Sequence, residues 1–492
     1  MKSGFIRPWH IAAAIIARLL WLWYFADLHG YAPLGTKDGA FILDTQSYLG
    51  SIESLLAGKG YDPDLRMPGY GAPYFLLRLV LDRDAAITGM LALNVEFGIF
   101  SSLLLGALAL RLCGSRAWAN AVFTIFLLSP FVVEYDHQLL TESLAASALI
   151  TTVYLLVRWW TDQRAWHLVL AGVCAGWLVF LRPVCALFLP IFLLVMFSAH
   201  ATTIRERLAR ALLFLAPFLL AECMWIARNW SVHHAFHPAT NGFWEKSIEE
   251  NPVFPITRLV MSYGGYWVFW DPDGDINWFM YRPLGDQGEV QPADPDDDRI
   301  PHSIFCPSFN LDSLQLIARD YHQLSYGHPS PTRYDSLRLQ VAARADRYRE
   351  AFMCERPFQY HVVGKLRLLK RFILHSGTER AFRYSYADMG IGGKSMKVSW
   401  AVLFIGSVLL GLITAVVWLF TRRPMIQRLL PAIALVGTLV YPLVFRFVEY
   451  RYITTTWPLL LVIAALGART IAHRWPSHVK AEAQQAVKSP IT

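Results

Sequence analysis

Charged residues are scarce in this sequence. Asp, Glu, Lys and Arg make up 17% of its 492 residues against 55% apolar ones, a balance that water-soluble domains of this length do not show. Also missing are a Walker-type phosphate loop, a dinucleotide fingerprint and Cys or His at zinc spacing, which argues against energy from nucleotide hydrolysis and against a structural zinc. Neither an internal repeat nor a low-complexity tract is present. Cysteine is sparse too: Cys113, Cys174, Cys185 and Cys223 lie in or beside apolar runs, and only Cys306 and Cys354 fall outside them. Free Cys in an apolar run behaves as a small hydrophobe. Whether the outlying two are bridged stays open, because sequence does not supply their separation. The net charge of +8 does not form one basic face. Lys and Arg sit at the ends of apolar runs, so no nucleic-acid partner is expected.

What is present is a series of apolar runs long enough to cross a lipid core in helical form, which takes about twenty residues. The chain reads as an all-α polytopic membrane protein of about ten transmembrane helices. They are expected near 9–28, 85–110, 117–133, 139–157, 166–181, 184–199, 209–228, 398–420, 427–445 and 453–473, the fifth and sixth divided by Arg182-Pro183. The first run follows Lys2 and Arg7 like a signal peptide, but it has no convincing small-residue cleavage site and is read as a retained helix. Alternate connections hold Arg111 and Arg116, Arg158 and Arg164, Arg205, Arg207 and Arg210, Arg422, Arg423 and Arg428, and Arg469, Arg474 and Lys480. Basic residues near helix ends resist translocation, so both termini are expected in the cytoplasm.

That topology gives an N-terminal bundle over 1–230, containing an outer loop at 30–83, an extracytoplasmic domain over 231–395, C-terminal spans over 396–475 and a cytoplasmic tail over 476–492. The extracytoplasmic domain is expected to be α-rich or mixed. Within it, Asp271, Asp273, Asp275 and the Asp294 to Asp298 cluster lack EF-hand spacing and read as a solvated acidic loop. Around 357–375, Lys365, Arg367, Lys370 and Arg371 interleave with Leu366, Leu368, Leu369, Phe372 and Ile373, the pattern of an interfacial amphipathic helix.

The first outer loop holds Asp44-Thr-Gln-Ser-Tyr48 and then Arg66-Met-Pro68-Gly69-Tyr70. A helix starting near Asp44 places a carboxylate at its N-terminus, and Pro68 suits the start of a second, surface-lying helix, so amphipathic helices are expected in this loop. Further along come Ser129-Pro130, Leu140-Thr-Glu142-Ser, Leu181-Arg182-Pro183, Trp225-Ile-Ala-Arg228-Asn229-Trp230 and Arg451-Tyr452 ahead of Pro458. In their order and placement against the spans these motifs resemble bacterial family 39 glycosyltransferases, relatives of protein O-mannosyltransferases and of the lipid A aminoarabinose transferase. The resemblance covers nearly the whole chain, except for about 271–330.

The resemblance implies a GT-C-like fold in the bacterial inner membrane with a periplasmic active site. It implies a polyprenyl-phosphate-linked sugar as donor, a hydroxyl-bearing acceptor (glycolipid, polysaccharide or protein), and inversion at the sugar carbon. The matching acidic residue of the first outer loop is Asp44. Glu142, an ionisable group at the rim of a span, is a second catalytic candidate. Arg66, Arg182, Arg228, Arg446 and Arg451 are candidates for the phosphate, since guanidinium donates to it in a planar fork. Tyr48, Tyr70, His137 and Tyr452 accompany them as substrate-binding candidates. No cofactor or obligatory metal is expected, with a divalent ion between close carboxylates left open. The competing classes are a transporter or flippase of a lipid-linked sugar, which predicts paired halves that are not visible, and a non-catalytic scaffold.

Overall fold

A computed structural model describes residues 5–29, 43–61, 66–198, 203–238, 251–268, 274–280, 302–327, 329–375, 377–378, 381–382, 384–421 and 424–488. Among these residues the secondary structure is helical, apart from a single antiparallel bridge between Cys306 and Phe309. The chain divides into two compact units, one of residues 1–241, 375–437 and 451–492, the other of 242–374 and 438–450.

The first unit begins with α1, Pro8–His29, α2, Leu43–Leu56, and α3, Gly71–Arg78. Then come α4, Arg83–Cys113, α5, Arg116–Leu128, α6, Pro130–Val133, a 3-10 turn at Glu134–His137, α7, Thr141–Asp162, and α8, Ala165–Leu181. A second 3-10 turn, Pro183–Phe188, leads to α9, Leu189–Ser198, and α10, Ile204–His233. The helix ends follow local chemistry. Asp82 caps α4 by accepting from the Ala85 amide at 2.8 Å, Gly114 closes it at φ 61°, and Thr203 caps α10 by accepting from Glu206. Pro130 breaks α5 from α6, bending the pair by 49°.

The second unit contains α11, Val253–Ser262, α12, Asn277–Met280, α13, Leu311–Tyr326, α14, Pro331–Glu355, and α15, Gly364–Ile373, which continues a π-turn at Gln359–Val363. Ile256, Val260, Phe309, Ile317, Val341 and Phe352 are among the side chains that close its core. The chain returns to the first unit with α16, Ile391–Phe420, and α17, Met425–Val440, in whose last turn the boundary between units falls. After a π-turn at Tyr441–Phe445 and a 3-10 turn at Tyr450–Thr455, it ends in α18, Trp457–Lys488.

Among the described residues six helices are long and apolar enough to cross a membrane, or seven if the bent 116–137 pair is one span. They start at Pro8, Arg83, Glu142, Ile204, Ile391 and Met425. Three of the ten expected runs, at Ala165–Leu181, Pro183–Ser198 and Trp457–His473, are apolar but shorter helices. The break between the first two is the one expected at Arg182-Pro183, where the residue before proline takes an extended backbone. Trp23, Leu212, Leu220, Met224 and Ile413 are exposed on their helices, as lipid-facing side chains are. The inner helix is α7, buried along nearly its whole length. At the α8–α10 crossing a Cβ on Gly172 would collide with the Phe214 carbonyl, so glycine sets how closely the two helices approach.

Of the acidic loop, Asp271, Asp273 and Asp294 to Asp298 lie outside the described residues. Asp275 is described and departs from the solvated reading: it is buried, pairs with Arg371 at 3.1 Å and accepts from the Tyr266 amide. Residues 30–42 and 62–65 of the first loop, Arg422 and Arg423, and the side chains of Arg474 and Lys480 also lie outside. Cys306 and Cys354 are both free thiols, the first buried and the second exposed.

Candidate active site

Five charged side chains from separate parts of the first unit form one alternating chain, Arg66–Asp44–Arg451–Glu142–Arg182. Asp44, in the first turn of α2, meets Arg66 at 3.1 Å through one carboxylate oxygen and Arg451 at 2.7 Å through the other. Nε of Arg451 lies 3.4 Å from Oε1 of Glu142, and the same oxygen is 3.5 Å from Nη1 of Arg182. Both separations are those of ion pairs.

Each member is placed by a local cause. Glu142 occupies the first turn of α7, where a helix N-terminus favours negative charge. Arg182 closes α8 just before Pro183, and its guanidinium reaches the Thr455 hydroxyl at 3.3 Å and the Tyr452 ring at 5.0 Å. Arg451 stands in the 3-10 turn that precedes α18. Arg66 belongs to a segment fixed on the end of α8: the Trp177 indole donates to the Gly69 carbonyl at 2.9 Å, and a Cβ on Gly69 would collide with the Phe180 carbonyl. Arg66 also donates to Ser47 at 3.2 Å and lies over the Tyr48 ring, which packs on Tyr70.

Exposure is greatest at the Arg66–Asp44 end of the network and least at Glu142. Asp44 and Arg66 each keep 27% of their side-chain surface, Arg451 16%, Arg182 9% and Glu142 2%. An ionised carboxylate as buried as Glu142 needs its two cationic neighbours, whereas Asp44 is open enough to meet an incoming molecule. Burial by itself would raise the Asp44 carboxyl. The guanidiniums of Arg451 and Arg66, with Arg182 farther off, outweigh it and hold the group below the ordinary carboxylate value.

Behind the network the backbone of 138–140 is pinned from two sides. The Thr45 hydroxyl donates to the Leu139 carbonyl at 3.2 Å, and the Asn94 amide to the Gln138 carbonyl at 2.9 Å. Just before it, Asp136 is fully buried with Arg18 of α1 at 2.6 Å and accepts from Ser143 at 2.5 Å. Arg18 reads from sequence as a charge within a span with no identifiable partner; only the fold supplies Asp136. Thr45, Asn94 and Trp177 carry no sequence signal beyond adjacency to the motifs, because their roles depend on what packs against them.

The remaining candidates are described by other neighbours. Arg228 lies against the Tyr61 and Trp225 rings, with Asn229 at 2.9 Å and His233 at 3.2 Å. His137 is buried with its ring against Phe25. Arg446 belongs to the second unit, where it donates to the Ser262 and Tyr360 carbonyls at 2.9 and 2.7 Å and stacks on the Tyr360 ring. Among the described residues no three His, Cys, Asp or Glu side chains converge to hold a metal ion.

No family model matches this sequence, and no curated protein matches it either. Fold and site define a class: a helical, multi-pass membrane protein with an arginine–carboxylate network that joins its first loop, its central helix and the turn before its last helix.

Proposed function

We propose that this chain is an inverting glycosyltransferase of the GT-C type, moving a sugar from a polyprenyl-phosphate donor to a hydroxyl acceptor at the periplasmic face of the bacterial inner membrane. The observation that carries the reading is the gathering of Asp44 with three arginines, two of which it contacts directly. Sugar transfer from a phosphate ester needs a base for the acceptor proton and cations for the departing phosphate, and little else.

In the proposed step the acceptor oxygen bonds to the anomeric carbon as the bond from that carbon to the phosphate oxygen breaks. The acceptor proton goes to Asp44, and the electron pair leaves with the polyprenyl phosphate. Arg66, Arg451 and Arg182 neutralise the anion. A donor phosphate entering among these guanidiniums competes with the carboxylates for the same N–H groups. An Asp44 relieved of Arg451 and Arg66 regains basicity, so donor binding would prepare the base. Glu142 holds Arg451 and Arg182 in place, while Tyr48 and Tyr452 flank the cations with their ring faces.

The test is transfer by purified protein in lipid nanodiscs supplied with a panel of polyprenyl-phosphate sugars and envelope extracts. Wild type is expected to consume a donor, and Asp44→Asn to lose about 10²–10⁴-fold in rate. Undiminished transfer by both Asp44→Asn and Glu142→Gln would remove the chemistry from this network. Passage of the lipid-linked sugar across vesicles without its consumption would favour a flippase.

A further inference from the structure

Rings and neutral acceptors hold Arg228. Its guanidinium carbon stands 5.1 Å from the centre of the Trp225 ring and 5.4 Å from that of Tyr61, and these two rings meet edge to face at 5.9 Å. Nη1 donates to the Asn229 side-chain oxygen at 2.9 Å and lies 3.2 Å from Nε2 of His233. Asn229 is buried, and its amide donates in turn to the His237 carbonyl at 3.3 Å. The end of α10 therefore orients the cation, and the cation lies over Tyr61. A phosphate arriving at Arg228 would have to displace contacts that its own helix already makes.

Tyr61 carries this arrangement to the arginine network. Its hydroxyl donates to the backbone carbonyl of Arg66 at 3.0 Å, five residues on. Ser47 and Asp44 hold the far end of the Arg66 side chain, and the Gly69 seat on α8 holds the chain that follows. The tyrosine grips Arg66 at its root. A long side chain is costly to order, so fixing its root in advance leaves less to be ordered when an anion arrives. We propose that Arg228 and Tyr61 are positioning residues, a clasp between the end of α10 and the α2–α3 connection that sets where Arg66 stands. The clasp follows from these contacts alone; its service to catalysis rests on the transferase reading.

The test uses full-length protein in lipid nanodiscs. Backbone hydrogen exchange, read by mass spectrometry, comes first because it needs no substrate. Tyr61→Phe, which removes only the hydroxyl, and Arg228→Ala are each expected to speed exchange at least about fivefold in peptides covering 66–72, where the Ala72 amide donates to the Pro68 carbonyl. Arg228→Lys, which keeps a cation over the ring, should stay nearer wild type. Unchanged exchange in both Tyr61→Phe and Arg228→Ala overturns the clasp. Transfer kinetics then form a double-mutant cycle with Arg66→Ala. Each clasp variant is expected to lower kcat/KM by about five- to twentyfold when Arg66 is present, and by less than about twofold when it is absent, because what is lost is the position of Arg66. The same cycle read as affinity for polyprenyl phosphate, the released anion, gives the answer where Arg66→Ala transfers too slowly to measure. Equal losses in both backgrounds overturn the positioning role, since Arg228 would then meet the anion itself or the variant would have loosened the bundle. A wild type that neither transfers from any donor nor binds the anion defeats the transferase reading, while the exchange profile still decides the clasp.

Discussion

Arg451 touches both carboxylates of the network, and a guanidinium does this because its N–H groups point in several directions within one plane. A lysine keeps the charge but not the fork, so Arg451→Lys should lower transfer substantially, and Arg451→Ala more, each read as kcat/KM in nanodiscs. Parity of Lys with wild type would show that charge alone suffices. Asp44 carries a second prediction. Its carboxyl is held below the ordinary value, so its ion pairs stabilise the fold fully above about pH 4 and are lost as pH falls through the depressed value. Asp44→Asn should therefore lower the melting temperature near neutrality, and the two melting curves should converge in acid; a gap that persists unchanged in acid would refute this. The buried Arg18–Asp136 pair behaves differently. Removing one partner strands a charge, so Arg18→Met should cost about 3–5 kcal/mol in detergent unfolding, and adding Asp136→Leu should recover much of it. No recovery in the double variant would mean that the cost of Arg18→Met comes from lost packing.

At the scale of elements, most helices were legible because long apolar runs, capping residues and prolines act locally. The stop at Arg182-Pro183, the start near Asp44 and the helix across 357–373 all follow from neighbours in sequence. The Asp275 ion pair did not, since Arg371 comes near it only through folding. The candidate site was legible in the same uneven way. Asp44, Glu142, Arg66, Arg182 and Arg451 each announce themselves as ionisable groups beside apolar runs, but nothing in the sequence separates them from Arg228 or Arg446. What separates them is which backbone each rests on. The Gly69 contact with α8 is the element on which Arg66 depends. Gly69→Ala must move the 66–70 segment off the end of α8, and should reduce transfer at least tenfold and lower the melting temperature as well, because Met67 and Tyr70 of the segment are buried. Trp177→Phe, which removes one hydrogen bond and keeps the ring, should act in the same direction more weakly. Wild-type kinetics in Gly69→Ala would show that Arg66 does not need this seat.

Over the whole molecule, the central α7 has the arginine network near its first turn and basic residues near its last. Glu142 lies in the first turn of α7 and Arg158 near the last, about 24 Å apart at 1.5 Å per residue. That distance approaches the thickness of a lipid core, about 30 Å. The end beyond Arg158 gathers further basic residues: Arg164 in the α7–α8 turn, Arg116 at the start of α5, and Arg469 of α18 beside Gly114. Since basic residues near helix ends are retained in the cytoplasm, this end should be cytoplasmic and the Asp44 end periplasmic. A cysteine scan decides the point. With Cys223 and Cys354 replaced by Ser, Lys59→Cys should react with a membrane-impermeant maleimide on intact spheroplasts, and Gln163→Cys only after permeabilisation. The reverse pattern would put the arginine network on the cytoplasmic face and end the proposal of a periplasmic reaction. Labelling of both from one side would mean that α7 does not cross the membrane, although it is the most completely buried long helix of its unit.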